Sequence, residues 1–257
     1  MILDAHVHLP VLDGLQTLEE KRDRLLLDLR RNGVDACVLI ADSELESTIG
    51  STEDCVRLFA GEDAVFVVGG VSPFIDYEAQ LARLRDHLLH RRAVGIKLFP
   101  GHEGFYLSDP RLDPVYRMAR ELGVPVLFHS GWDNSFYASP SEIEAVLAAW
   151  PGVRLVCCHC LYPEIRRCLP LTRHPDLYFD LSSVADDPQA AEGLLEDLRS
   201  LIALAPGRVV FGSDYASCAR RPHLELIDAL ALPEETRRRV LWENAVRLYG
   251  LPLPLLP

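Results

Sequence analysis

The chain lacks any apolar run approaching the roughly 20 residues that a membrane-spanning helix requires, so no membrane role is expected. It is short of positive charge: 26 Lys and Arg stand against 38 Asp and Glu, a formal net charge of −12. That deficit argues against a broad basic face and against nucleic acid as a partner, while leaving room for a local positive site such as a metal. No linker rich in Pro, Gly and Ser, no low-complexity tract and no internal repeat divides the sequence, which points to one domain over residues 1–257. An even, regularly spaced cysteine framework is also missing. Seven cysteines are an odd number, and they fit reduced thiols in the cytoplasm better than a disulfide-stapled secreted protein. The first apolar segment opens at Ile2, which leaves no room for a leader peptide ahead of it.

What is present is ordinary in composition and regular in pattern. Hydrophobic residues at 49% and charged residues at 25% suit a globular protein. Apolar, β-rich runs fall near Ile2–His8, Val34–Ala41, Ala64–Val71, Val94–Phe99, Val124–His129, Val153–His159, Leu177–Leu181 and Val209–Asp214. Helical patterns separate them, near Leu18–Asn32, Thr52–Gly61, Asp76–Arg91, Pro114–Leu122, Ser141–Trp150, Pro163–Arg173, Pro188–Ala205 and Glu234–Tyr249, with a short helix near His223–Leu230 ahead of the last. Continuous apolar strands suit a parallel sheet covered on both faces. Thr17 with Glu20, and Ser141 with Glu144, have capping-box spacing, and Asp113 precedes a first-turn Pro114. Eight strand–helix units predict a single-domain (β/α)8 TIM barrel; a doubly wound open sheet is the rival.

In such a barrel the active site lies at the C-terminal ends of the strands. The first strand carries Asp4, His6 and His8 at alternate positions, so His6 and His8 share a face and together can hold one transition-metal ion. Lys97 lies in the fourth strand, His129 ends the fifth, His159 the sixth and Asp214 the eighth. Each alone has a plain structural reading, such as a hydrogen-bonded core histidine or a loop-capping carboxylate. Together, polar groups at the ends of apolar strands need partners, and here they converge on one mouth.

This ordered set resembles the amidohydrolase superfamily, in particular its amidohydrolase-2 branch of metal-dependent barrel hydrolases and decarboxylases. The resemblance spans nearly the whole chain. It rests on Asp4-Ala5-His6-Val7-His8, on Val94-Gly95-Ile96-Lys97-Leu98, on Gly123 through His129-Ser130-Gly131, on His159, on Phe211-Gly212-Ser213-Asp214 and on Glu243 through Gly250. It implies that His6, His8, His129 and Asp214 ligate a divalent metal, most often Zn2+. It also implies that His159 either ligates a second metal or polarises the substrate. In that reading Asp214 takes the proton of a metal-activated water and later delivers it to the leaving group, while the metal or a protonated His159 stabilises the oxyanion.

Lys97 has several readings: a carbamate bridging two metals, a contact to a substrate carboxylate, or an ion pair with Asp4 or Asp214. Economy favours an uncarboxylated amine beside a mononuclear site. With Gly95 and Lys97 facing inward, Ile96 and Leu98 would face the helices. Cys157-Cys158-His159-Cys160 is no zinc finger, because adjacent strand residues point to opposite faces. Cys157 would share the face of His159, with Cys158 packed outward. Cys218 has no base beside it. The loops Gly101–Asp109 (His102, Glu103, Phe105, Tyr106) and Gly131–Pro140 (Trp132, Asp133, Phe136, Tyr137) are expected to wall the substrate pocket or to cover the rim, and Arg220 and Arg221 to bind an anion or lie solvated.

The resulting expectation is a cytoplasmic metal-dependent hydrolase acting on the carbonyl of a small molecule: an amide, lactone or ester. A non-oxidative decarboxylase is the close alternative. A TatD-like nuclease is disfavoured by Lys97, where that family places a glutamate; a barrel that binds without turnover is the remaining class. The sequence leaves a homo-oligomer open.

Overall fold

All eight apolar runs become parallel strands: β1 (Leu3–Val7), β2 (Ala36–Ile40), β3 (Val65–Gly70), β4 (Gly95–Leu98), β5 (Val126–Phe128), β6 (Leu155–Cys157), β7 (Leu177–Asp180) and β8 (Val209–Val210). They neighbour one another in chain order. The circle closes through backbone bonds from the N–H of Ala5 to the Phe211 carbonyl at 2.8 Å and from the N–H of Asp214 to the His6 carbonyl at 2.9 Å. The computed structural model describes residues 1–12, 14–44, 47–132 and 135–255. The architecture is a (β/α)8 barrel of one domain. No described helix is long and apolar enough to cross a membrane.

The outer layer comprises α1 (Leu18–Arg31), α2 (Thr52–Leu58), α3 (Tyr77–Leu89), α4 (Asp113–Leu122), α5 (Pro140–Ala149), α6 (Pro188–Leu204), α7 (Arg220–Ala229), α8 (Glu234–Arg238) and α9 (Asn244–Tyr249). The capping box of Thr17 and Glu20 forms as its spacing predicts. Two expected caps are displaced. Helix α5 is capped by Ser139 ahead of Pro140, and not by Ser141. Asp113 is already the first residue of α4, because Asp109 caps a 3-10 turn over Pro110–Leu112 that feeds directly into it. After β6, a 3-10 segment over Ile165–Arg173 replaces the expected helix; Pro170 inside it has no N–H to donate and interrupts the α ladder.

Strand register decides which residues face the barrel axis. Lys97 pairs with Leu127, and Leu127 with Val156, on the inner face. Ile96, Leu98, Val126, Phe128, Leu155 and Cys157 point outward and pack on Leu84 of α3, Val115 of α4 and Ile143 of α5 in the largest buried cluster. Gly95 and Lys97 therefore face inward, as expected.

Strand β1 breaks its own alternation. Asp4 pairs with Cys37 but Val7 pairs with Leu39, so two residues of β1 stand opposite one of β2. This bulge turns Asp4 to the helix side while His6 and His8 keep the mouth. The three residues thus do not share one face. The buried Asp4 carboxylate accepts from Arg220 Nε at 2.7 Å, and the Arg220 guanidinium also reaches Asp28 of α1. Neither Lys97 nor a substrate anion is its partner. Arg220 is buried, and Arg221 bonds Glu225 on the exposed face of α7.

Candidate metal centre and active site

Apart from His6, which lies within β1, the candidate ligands sit just beyond the strands. Residues Trp132, His159, Ser183 and Asp214, after β5, β6, β7 and β8, all have φ between +52° and +62°. The left-handed region costs a residue bearing a Cβ about 1–2 kcal/mol, so four such residues around one rim mark a site held by its surroundings. Strict strand alternation fails at His159. Strand β6 ends at Cys157, and His159 and Cys160 lie in a left-handed turn. Alternation holds from the inward Val156 through Cys157, which packs outward, to Cys158, which was expected to pack outward but faces the axis and accepts a hydrogen bond from Lys97 Nζ at 3.2 Å; counting back from His159, beyond the break, reverses the two cysteines. All seven cysteines are buried and free. Burial pushes the Cys218 thiol up to about 12, which suits no nucleophile.

His6, His8 and Asp214 meet. Their ligand atoms lie within 4.8 Å of one another. His6 Nε2 is 3.5 Å, and His8 Nε2 3.4 Å, from the same Asp214 oxygen, Oδ1. Each imidazole is oriented through its other nitrogen. His8 Nδ1 donates to the Ile40 carbonyl at 2.9 Å, and His6 Nδ1 donates to Asp180 Oδ2 at 2.5 Å. Ser183 Oγ donates to Asp214 Oδ2 at 2.6 Å, which leaves Oδ1 turned to the histidines. His6 Nε2 is fully buried without a hydrogen-bond partner. A buried nitrogen left unpaired is costly unless it serves as a ligand. Two imidazole nitrogens and one carboxylate oxygen around a point fit a divalent metal of the zinc type.

Asp180, at the end of β7, was not singled out from sequence. The available signal was a lone carboxylate closing the apolar strand Leu177-Tyr178-Phe179-Asp180. Gly212 makes room for the pair. A Cβ there would lie 2.6 Å from Asp180 Oδ1 and 2.8 Å from the His6 Cβ.

His129 and His159 stand across the mouth, their ring centres 5.0 Å apart, and His159 lies 5.0 Å from His6. Among the described residues His129 does not join the His6–His8–Asp214 group; its ring lies 4.1 Å from that of His102 and stacks on Trp132 at 5.6 Å. Ser182 Oγ links His159 Nδ1 at 2.8 Å to His6 Nδ1 at 3.1 Å.

Burial disfavours the His6 cation, but the Asp180 carboxylate outweighs it and lifts the group to about 10. Burial dominates at His159, which falls to about 3, and lowers His129 further. Burial thus favours the neutral imidazole at His159 over the protonated form expected to hold an oxyanion. Asp214 is desolvated, yet its bond with His8 and the neighbouring histidines hold it well below the usual carboxylate range.

Beside His8 opens a cavity of about 440 Å3, lined by residues of the loops after β1, β2, β4 and β8. His102 and Glu103 line it as expected. Phe105 does not; it is fully buried in the core under its loop. Tyr106, Phe136 and Tyr137 form a partly exposed stack on the rim. Asp133 lies outside the described residues.

The (β/α)8 barrel places a His-x-His pair at the end of β1 against an aspartate after β8, an arrangement that could hold a metal ion. The chain belongs to the amidohydrolase family Amidohydro_2, whose model matches residues 3–251. No curated protein matches it significantly. Similar solved structures include an uncharacterized TIM-barrel protein from Bordetella bronchiseptica, at 20% identity and a TM-score of 0.77, covering 97% of this chain and 98% of that one. A putative 2-pyrone-4,6-dicarboxylic acid hydrolase from Pseudomonas putida is similar at 17% identity, with a TM-score of 0.76 and 98% of each chain covered. A 5-carboxyvanillate decarboxylase from Novosphingobium aromaticivorans, complexed with manganese, is similar at 15% identity and a TM-score of 0.65, over 89% of this chain and 80% of that one. At these identities the likeness is one of fold.

Proposed function

We propose that the protein is a metal-dependent hydrolase of a small molecule, attacking the carbonyl of an amide, lactone or ester with activated water. The observation that carries this reading is the convergence of His6 Nε2, His8 Nε2 and Asp214 Oδ1, with the first of these buried and otherwise unpartnered. These three residues, with His129 as a further ligand from across the mouth, would hold the ion, and Zn2+ suits their nitrogen and oxygen donors. When bound, such an ion supplies Lewis acidity that lowers the pKa of water toward ~7 and draws charge from a carbonyl.

The protein's own groups then have distinct tasks. Asp214 accepts the proton of the attacking water and returns it to the leaving group, while the Ser183 hydroxyl, donating to Oδ2, fixes the carboxylate. His159, with a proton on Nδ1 toward Ser182, presents Nε2 as a neutral contact to the substrate or to the water. Lys97, bonded to Cys158, stays an amine beside a single ion and does not bridge two. A small-molecule substrate fits a cavity of about 440 Å3.

The likeness to a manganese-containing decarboxylase keeps a second reaction in view, in which the same site would manage loss of carbon dioxide. Zinc- and manganese-loaded protein should be screened against lactones, amides, esters and aromatic carboxylates, following acid release and carbon dioxide separately. Acid release that falls at least ~100-fold in Asp214→Asn supports the hydrolase. Carbon dioxide evolution without hydrolysis would replace it with the decarboxylase. Replacing His6 and His8 together by alanine should abolish metal retention with the barrel intact by circular dichroism; a full metal equivalent after dialysis would refute the centre.

A further inference from the structure

The cavity beside His8 has a marked chemical polarity. Asp42, Glu44 and Glu103 are among its lining residues, while Ile49 and Phe99 contribute apolar surface. Among the described residues that line it there is no Lys or Arg. The cations nearest the mouth in sequence are engaged elsewhere: Lys97 on Cys158, Arg220 on Asp4 and Asp28, Arg221 on Glu225.

The mark of a ligand site here is independent of these acids. His8, on the cavity wall, turns Nε2 to 3.4 Å from Asp214 Oδ1, and the wholly buried His6 Nε2 lies 3.5 Å from the same oxygen with no hydrogen-bond partner. A ligand held there would extend into a space whose polar wall is anionic.

Glu103 is the most firmly placed of the carboxylates. A tight turn holds its backbone: its N–H donates to the Phe99 carbonyl and its carbonyl accepts from Gly101, both at 2.9 Å. Ser43 Oγ donates to Oε1 at 2.9 Å, and Ser72 Oγ donates to Oε2. Each oxygen retains a lone pair for a further donor. Asp42 is fixed in the same way, by the Ser43 N–H at 2.7 Å and Ser47 Oγ at 2.6 Å. A substrate carboxylate at this wall would meet fixed like charge, whereas an ammonium or a set of hydroxyls would meet fixed acceptors.

We propose that the substrate carries a cationic or strongly hydrogen-bond-donating group, such as a primary amine, at the end remote from its scissile carbonyl, and that Glu103 and Asp42 select it. The proposal rests on the hydrolase reading above and narrows its substrate class. It sets this protein apart from carboxylate-rich substrates of the kind named for the pyrone hydrolase and the decarboxylase.

The test is calorimetric binding to zinc-loaded protein of three short hydroxamates that share one aliphatic chain and end in an ammonium, a methyl or a carboxylate. The ammonium compound should bind at least roughly tenfold more tightly than the carboxylate, the scale of one partly buried charge contact. In Glu103→Gln and in Asp42→Asn, with thermal midpoints recorded to confirm folding, that ratio should shrink by about threefold or more, while the methyl compound shifts less. Matched esters with the same three tails should show the preference in KM more than in kcat. Equal binding of the ammonium and carboxylate compounds, or a ratio unchanged in both variants, would overturn the proposal and leave the hydrolase reading standing. Failure to retain zinc at all would instead remove the hydrolase reading, and this proposal with it.

Discussion

His6 shows how one side chain is oriented as a candidate ligand. Its Nδ1 is committed to Asp180, so the ring cannot rotate without breaking a buried charge-assisted bond, and Nε2 is left aimed at Asp214. Asp180→Asn removes the charge while keeping an acceptor. We expect metal affinity to fall by about 10–100-fold with little change in thermal midpoint, measured by competition with a chromogenic chelator. Unchanged affinity would show that Asp180 does not orient the ligand. The same pair sets a proton balance. In the metal-free protein His6 is raised to about 10 and so carries two protons at neutral pH. Metal uptake must displace the proton on Nε2, so affinity should climb with pH by up to about tenfold per unit below that value. Calorimetry in buffers of different ionisation heat should register close to one released proton.

At the scale of elements, the site depends on interruptions of regular structure. The bulge in β1 separates Asp4 from His6 and His8, and left-handed turns after β5, β6, β7 and β8 lead away from the strands. Asp4 ties two of these pieces together: it accepts from the Ser213 N–H at 2.9 Å and Ser213 Oγ at 2.5 Å, immediately before Asp214, and from Arg220 at the start of α7. Arg220→Met strips a buried carboxylate of its counter-charge. It should cost about 3–5 kcal/mol in urea unfolding. The double variant with Asp4→Asn should recover part of that loss, because the fully buried charge is then gone and only the part-exposed Asp28 is left without its cation. Strictly additive losses would refute the coupling.

At the scale of the molecule, the opposed shifts of the buried histidines predict a stability optimum for the metal-free protein near the ordinary histidine value. His159 is held at about 3, so between there and about 6.5 the unfolded chain binds the extra proton and stability is lost as pH falls. His129, lowered by the same burial, adds with the same sign. Each contributes up to about 1.4 kcal/mol per pH unit in that window. His6 acts oppositely. Its stabilisation is complete below about 6.5 and fades as pH rises toward about 10. Urea midpoints of metal-stripped protein should therefore decline on both sides of about pH 6.5. A flat profile between pH 4 and 9 would contradict these environments.

The eight strands, their parallel order and the location of the site were legible in the sequence, because apolar runs and helix periodicity are local properties. That His6, His8, His129, His159 and Asp214 gather at one mouth was legible for the same reason, as polar groups ending apolar strands; that only His6, His8 and Asp214 of these bring their ligand atoms together, among the described residues, was not. Side-chain direction past the strand ends was not. The period-two rule that places Ile96 outward and Lys97 inward fails at the β1 bulge and again at His159, and so it misassigned Asp4 and Cys158. Partnership was also beyond the sequence. That Asp180 orients His6, that Arg220 is consumed by Asp4 and Asp28, and that Phe105 is core instead of pocket wall depend on contacts between residues far apart in the chain. Local chemistry determines which groups reach the mouth of the barrel; only tertiary packing decides which of them are left without a hydrogen-bond partner.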